Sequence, residues 1–375
     1  MLDVLVIGLG AMGSAALFHL AERGASVVGI DANVPPHTLG STHGRSRIIR
    51  EAYFEHPTYV PLVRRAFHNW AALERRVGRT LYRPTGGLMV GRPDSGLVRG
   101  TLESSWRHDI AVEVLGADAM RMRFPSLQAG ADMIGVLEQN AGVLDPEACV
   151  TAHLDAACAA GGMIATDERV TRVEPAADRV TVHTTMGSHI ARRVIIAAGP
   201  WAAELLAGLG VFLPLTVERQ SMHWFAPRAR RDLFDSEHLP VTLIEHDDDK
   251  YFYLIPDLGD GVKAAIHYEG ALGGPDDLSR EVTGADVAPV VRLLERFAPD
   301  AVGQRLESSV CLYTNTPDHH FVVDTVPGVP RAILMSPCSG HGFKFASALG
   351  EVVAQQALGE PPVLDLSRFR ADRFA

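Results

Sequence analysis

The chain has 375 residues, 47% hydrophobic and 21% charged, which suits a globular protein with a large core and about two domains. Acidic residues outnumber basic ones 45 to 35, and the formal net charge of −10 argues against nucleic acid or an anionic membrane surface as partner. Four cysteines without a Cys-x-x-Cys pair, and no apolar run of about 18 residues, exclude a zinc ribbon, a thioredoxin-like site and a membrane-spanning helix; a cytoplasmic location is expected.

Val4 to Ile7 form a short apolar run that ends at Gly8, as a buried parallel strand does. Ala11 to Arg23 carry apolar residues at helical spacing, with Gly24 as a stop, and Ser26 to Ile30 give a second strand ending at Asp31. Between strand and helix lies Gly8-Leu9-Gly10-Ala11-Met12-Gly13, a G-x-G-x-x-G run. Such glycines permit a tight turn and close backbone approach to a pyrophosphate at the helix N-terminus. Asp31 is placed to accept from ribose hydroxyls. This βαβ start predicts a dinucleotide site in which Gly8, Gly10, Gly13 and Asp31 bind cofactor.

Pro35-Pro36 break the pattern, and His37 to Tyr53, rich in Gly, Ser, Thr, His and Arg, read as a loop carrying functional groups. Tyr59 to Glu74 resume a helix through Leu62, Ala66, Trp70 and Leu73. Arg169 to His183 alternate like a strand, and Arg193 to Gly199 read as another buried strand. From about 215 to 310 the pattern is that of alternating strands, clearest at Tyr251 to Ile255 and Val262 to Tyr268, and residues 345 to 357 return to a helix. The expected fold is a mixed α/β (α+β) one. A Rossmann-like dinucleotide-binding domain (1–80, 146–215 and 322–375) is interrupted by a catalytic domain with a mixed, largely antiparallel sheet (81–145 and 216–321).

The glycine motif does not choose between NAD and FAD; the strand ending Ala197-Ala198-Gly199-Pro200-Trp201 leans toward FAD. Lys263 and His267, four apart in a strand, share one face with Ala265. Arg47 and Arg50 lie three apart in the glycine-rich loop. His319 and His320 are adjacent and would point to opposite sides of a strand, and no His-Glu-x-x-His spacing occurs, so no metal is expected.

Pro35-Pro36-His37, Gly40-Ser41 with Arg47-Ile48-Ile49-Arg50, Cys311 to Asp318 and Ser339 to Glu351 together resemble the monomeric sarcosine oxidase and N-methyltryptophan oxidase family, over nearly the whole chain. The resemblance implies a glutathione-reductase-type FAD domain and oxidation of a secondary amino acid by O2, giving an imine and hydrogen peroxide. It makes Cys311 the thioether link to FAD, with Cys338 as a rival, and assigns the substrate carboxylate to Arg50 and Lys344. It sets Arg47 over the flavin ring, Lys263 at the oxygen side and His267, Tyr313 and Tyr253 on the substrate side. His43, Gly340, His341, Gly342, Phe343 and Lys344 would contact the cofactor. Arg45 stands where relatives commonly have an acidic residue, which would add positive charge beside this loop. The expected protein is a monomer. Two enzyme alternatives stay open, a same-fold dehydrogenase and a cyclic imino acid oxidase, and so does a flavin-binding protein without catalysis.

Overall fold

Val4, Leu5, Val6 and Ile7 are apolar without alternation because their strand, Leu2–Ile7, lies mid-sheet and is covered on both faces. In the computed structural model, which describes residues 1–374, this strand pairs in parallel with Val27–Ile30 on one side and with Gly187–Ile196 on the other. Eight strands make this sheet: Met163–Ala165 extends it beyond Val27–Ile30, and Val329–Ser336 joins it beside Gly187–Ile196. Parallel pairing needs crossovers, and the helix Ala11–Glu22 supplies the first. The alternating stretch 169–183 is a hairpin rather than one strand, Val170–Pro175 against Val180–Thr184.

A second sheet of nine strands is mostly antiparallel. Its spine is Thr216–Phe225, paired with Arg305–Asn315 on one side and Val262–His267 on the other. That register sets Gln220 opposite Cys311 and Glu218 opposite Tyr313. The strand pattern expected from 215 to 310 is broken by a helix, Gly284–Phe297. Thr283 and Asp286 close its N-terminus as a capping box, and Val290, Leu294 and Phe297 recur at helical spacing on its buried face. The loop read for 37–53 also contains a short strand, Arg47–Ile49, paired with Gly142–Leu144.

The glycine turn is sterically required. Gly8 has φ +86°, and a Cβ there would lie 2.5 Å from the Ala197 carbonyl oxygen; one on Gly13 would lie 1.7 Å from that of Gly8. The last helix, Ala346–Leu358, packs on Ala11–Glu22 through Gly350, where a Cβ would fall 2.6 Å from Ala15 Cβ and 2.7 Å from Ala15 backbone carbon. Helix propensity favours Ala over Gly by about 1 kcal/mol. Forcing a methyl into a packed contact costs about 1–3 kcal/mol, and here the obstacle is backbone that cannot swing away. Gly350→Ala is therefore expected to destabilise the protein despite better helix propensity, by about 1–2 kcal/mol in denaturant unfolding; a stability gain would show that the two helices separate easily.

Candidate active site

One cavity runs from the glycine turn and Asp31 to Arg50, His267 and Lys344, so it bridges both sheets. At its first end Gly10 is the N-cap of helix Ala11–Glu22 and offers no side-chain cap. Asp31 Oδ2 accepts from Leu9 N–H at 2.7 Å and Oδ1 from Asn33 N–H at 2.9 Å, which fixes the carboxylate at the cavity wall. His37 Nε2 stands 3.5 Å from Asp31 Oδ1. Ala11 N–H donates to Thr42 Oγ1 at 3.3 Å, and a helix N-terminus beside a buried carboxylate can hold a pyrophosphate and a ribose together. Ser41 Oγ and Ser336 Oγ line the cavity, are buried and have no hydrogen-bond partner among the described residues. Buried hydroxyls seek partners, so they fit a polar group bound in the cavity.

Deeper in, Cys311 Sγ lies 3.5 Å from Arg47 Nη2 and 3.5 Å from the Ser41 carbonyl oxygen. Arg47 is held by donating to the carbonyls of Ser46 at 2.8 Å and Ser41 at 3.0 Å. The other cysteine in this wall, Cys338, accepts from Thr314 N–H at 3.2 Å, and burial pushes its thiol up. His43 is buried and kept neutral, pushed to about 3 by burial, then by Arg47 and Lys263.

Arg50 is buried; its Nη2 donates to both Glu55 carboxylate oxygens at 2.9 and 2.8 Å and its Nη1 to the Ala52 carbonyl at 3.1 Å, while its guanidinium lies over the rings of Tyr53 and Phe54. Burial opposes the Glu55 charge, but Arg50, His341 and Lys344 outweigh it and hold the carboxyl at about 2. Lys344 Nζ donates to the His341 carbonyl at 2.7 Å and to Tyr53 Oη at 3.2 Å. His341 Nε2 lies 2.9 Å from the His319 carbonyl, which can only accept, so Nε2 carries the proton. Its Nδ1 then accepts from Tyr53 Oη at 2.7 Å, and burial keeps the ring neutral, at about 4. Tyr53 and Glu55 were missed from sequence; an acid five residues past a loop arginine was the available signal.

His267 Nδ1 is 3.0 Å from Tyr313 Oη, and burial, then His341, drives it to about 3. It is therefore neutral and suited to orienting a ligand rather than holding a proton. Gly340 presses this pair: a Cβ there would lie 2.6 Å from both His267 Cε1 and Tyr313 Cε2. Gly342 is equally tight, its Cβ position 1.5 Å from the Pro337 carbonyl oxygen. Phe343 stacks on Trp70, whose indole donates to the Lys344 carbonyl at 2.9 Å. Tyr253 is partly buried, packs beside Cys311 and lines the cavity, and its hydroxyl is raised to about 12 by burial.

Lys263 does not reach the cavity surface. Its Nζ donates to Gly44 O at 2.8 Å, Ser46 O at 3.0 Å and Ser46 Oγ at 3.2 Å, one layer behind the wall made by Ser46 and Arg47. Burial, then Arg47, pushes its amine well below the ordinary lysine value. Arg45 lies beside this loop but outside the cavity wall. It turns outward at φ +61° to pair with Asp260 at 3.0 Å and with Glu307, against the Trp224 ring.

A family model described as FAD dependent oxidoreductase matches residues 3–356. The chain is 42% identical to the monomeric sarcosine oxidase of Streptomyces avermitilis, covering 100% of this chain and 98% of that one. It is 35% identical to the N-methyl-L-tryptophan oxidase of Yersinia pestis, covering 99% of each. Among solved structures, the open form of the amino acid oxidase NikD superposes with a TM-score of 0.87 at 24% identity, over 99% of this chain and 97% of that one, a likeness of fold.

Burial, then Arg50, lowers the Lys344 amine to about 7, whereas Glu55 at about 2 and His267 at about 3 stay in one form from pH 6 to 9. An anion binding beside Lys344 favours the ammonium, so its affinity falls as pH rises above about 7. Acetate binding, followed by perturbation of bound-flavin absorbance from pH 6 to 9, is expected to weaken up to about tenfold per pH unit above that point. Lys344→Gln is expected to flatten the profile; a slope that survives would assign the titration elsewhere.

Proposed function

This chain belongs to the FAD dependent oxidoreductase family, within the group of monomeric sarcosine oxidases and N-methyl-L-tryptophan oxidases, and on that premise we propose that it oxidises the C–N bond of a secondary amino acid. The observation that carries this reading is the meeting of two buried cations, Arg50 and Lys344, with the neutral His267–Tyr313 pair at one end of the cavity. A guanidinium fork beside an ammonium selects a carboxylate, and an N-methyl amino acid is the proposed substrate class. Segments 1–80, 146–215 and 322–375 would form the FAD-binding part, and 81–145 and 216–321 the catalytic part.

In this reading Gly8, Gly10, Gly13 and Asp31 hold the dinucleotide and Gly340 to Lys344 border the ring end, with His43 buried behind the cavity wall. Bound FAD supplies the two-electron acceptor; the protein supplies position and charge. Glu55 takes up Nη2 of Arg50 with both carboxylate oxygens, and a substrate carboxylate would enter by exchange with it. Lys344 adds the second charge, and Tyr253 packs on the substrate. His267, neutral and tied to Tyr313, orients the amine, which must be unprotonated for its lone pair to assist C–H cleavage. The imine then hydrolyses, and an N-methyl substrate gives formaldehyde and the primary amino acid. Four unpaired cysteines suit a reducing cytoplasm, and a monomer is the proposed state.

Cys311 is the proposed thioether link. The Arg47 guanidinium lies 3.5 Å from its sulfur, whereas burial raises the thiol of Cys338. Acid-precipitated protein is expected to stay yellow and Cys311→Ser to release its colour; colour retained by Cys311→Ser would transfer the link to Cys338.

O2 is the proposed electron acceptor, with Lys263 and Arg47 providing cationic character where superoxide forms. One observation favours a second reading, a dehydrogenase: Lys263 Nζ already meets three oxygens of Gly44 and Ser46. Stopped-flow reoxidation by air separates the two. An oxidase is expected to reoxidise fast, with Lys263→Met slowing that step about a hundredfold and flavin reduction far less; equal losses in both steps would remove Lys263 from the oxygen side. A peroxide-coupled screen of N-methyl and cyclic amino acids is expected to find a substrate whose decarboxylated amine is inert. Equal turnover of that amine would overturn the carboxylate clamp.

A further inference from the structure

The strand that carries Lys263 and His267 ends in an unusual bend. Tyr268 and Glu269 both take left-handed conformations, φ +66° and +68°, in succession and without glycine. Such backbone persists only where surrounding contacts over-determine it, and it gathers at functional sites. Backbone pairing of Ala271 and Leu272 with Arg219 and Glu218 supports its far side, and two side-chain ties hold the bend itself. Tyr268 Oη donates to the Ser339 carbonyl at 2.9 Å, and Gly270 N–H donates to Glu218 Oε1 at 2.6 Å. Gly270 itself cannot be replaced: a Cβ would lie 1.9 Å from the Arg219 carbonyl oxygen.

Glu218 is buried and has no cationic partner within salt-bridge distance among the described residues. It accepts instead from three neutral donors, the Gly270 amide, Gln220 Nε2 at 2.7 Å and Asn315 Nδ2 at 2.5 Å. A buried carboxylate so placed is costly unless its bonds are all made, which makes it a rigid anchor. It lies beside Tyr313 in the strand register, and Gln220, which it orients, lies opposite Cys311. The other tie reaches Ser339, next to Gly340, which presses His267 and Tyr313. Between the ties the Tyr268 ring packs on the His267 ring at 4.0 Å between centroids.

We propose that Glu218 and Tyr268 are positioning residues: together they pin the strained Tyr268–Gly270 bend and so fix the His267 imidazole against Tyr313 at the substrate end of the cavity. This rests on the reading of His267 as a substrate-side residue. Neither Glu218 nor Tyr268 lines the cavity, so each acts through His267.

The test separates flavin reduction by substrate from reoxidation by air in the FAD-loaded protein. Tyr268→Phe keeps the ring and removes one tie; Glu218→Ala removes the other. Each is expected to slow reduction at saturating substrate about tenfold or more while leaving reoxidation within twofold. Glu218→Gln is expected to restore most of the rate, because its amide oxygen keeps the Gly270 tie. The Asn315 Oδ1 atom, buried and unpartnered, can turn to accept the new N–H. Glu269→Gly, which relaxes the strained φ at an exposed side chain, is expected to recover part of the loss in Tyr268→Phe. Reduction within twofold of wild type in both Tyr268→Phe and Glu218→Ala, or an equal slowing of both half-reactions, would overturn the proposal; if Glu218→Ala does not fold, Tyr268→Phe decides. A parallel readout is independent of turnover. In protein labelled with 15N-histidine, the His267 Nδ1 resonance is expected to shift in Tyr268→Phe, and an unchanged resonance would overturn the pinning. Failure of every amino acid to reduce the wild-type flavin would sink the substrate reading, and the resonance would still decide the bend.

Discussion

Burying several cations around one cavity is the constraint on which the rest of this structure depends. Arg50, Lys263 and Lys344 are all buried, and Arg47 is packed among them. Like charges in a low-dielectric wall repel and resist desolvation. The protein answers with fixed oxygens: Glu55 on Arg50, the Gly44 and Ser46 carbonyls on Lys263, and the His341 carbonyl on Lys344. Carboxylates also grip the loop backbone that carries the arginines. Glu147 accepts from the N–H groups of Gly44 and Arg45, and Glu138 from those of Glu51 and Ala52. The loop is thereby held on both sides of Arg47 and Arg50. What stays exchangeable is the Glu55 side chain, whose place an incoming anion can take.

The same compensation explains why several ionisable groups sit far from their usual values. Burial holds His43, His267 and His341 neutral, while Glu55 remains ionised because cations surround it. The site is cationic toward a ligand and otherwise uncharged, which suits recognition of a carboxylate next to an amine that must itself be neutral.

Much of this was legible in the sequence where local rules act alone. The glycine turn, the strand before it and Asp31 follow from sterics and periodicity, and Gly8 and Gly13 sit where no side chain fits. The helix Gly284–Phe297 was hidden inside a strand-like region because its cap, Thr283 with Asp286, was overlooked and Pro289 argues against a helix. The direction of Arg45 could not be read, because it comes from its left-handed backbone and from the Asp260 and Glu307 carboxylates, which turn it outward. Glu55 and Glu218 could not be read at all. Their roles depend on Arg50 being buried and on Gly270 passing over Thr216–Phe225, both products of tertiary packing.

The reach of the bonds around the ring end of the cavity bears on the order in which the chain is made. Asp31 and the glycine turn lie within 22 residues of each other and can pair as soon as they leave the ribosome. The Lys263 clasp on Gly44 spans 219 residues, the Arg47–Cys311 contact 264 and the Lys344–Tyr53 bond 291. Closing such long loops is slow and comes late. The glycine turn itself packs on Ala197 and its helix on Ala346–Leu358, so both ends of the cavity wait for distant parts of the chain. Completion of the cavity belongs after synthesis, when the last helix has docked and Cys311 has met Arg47.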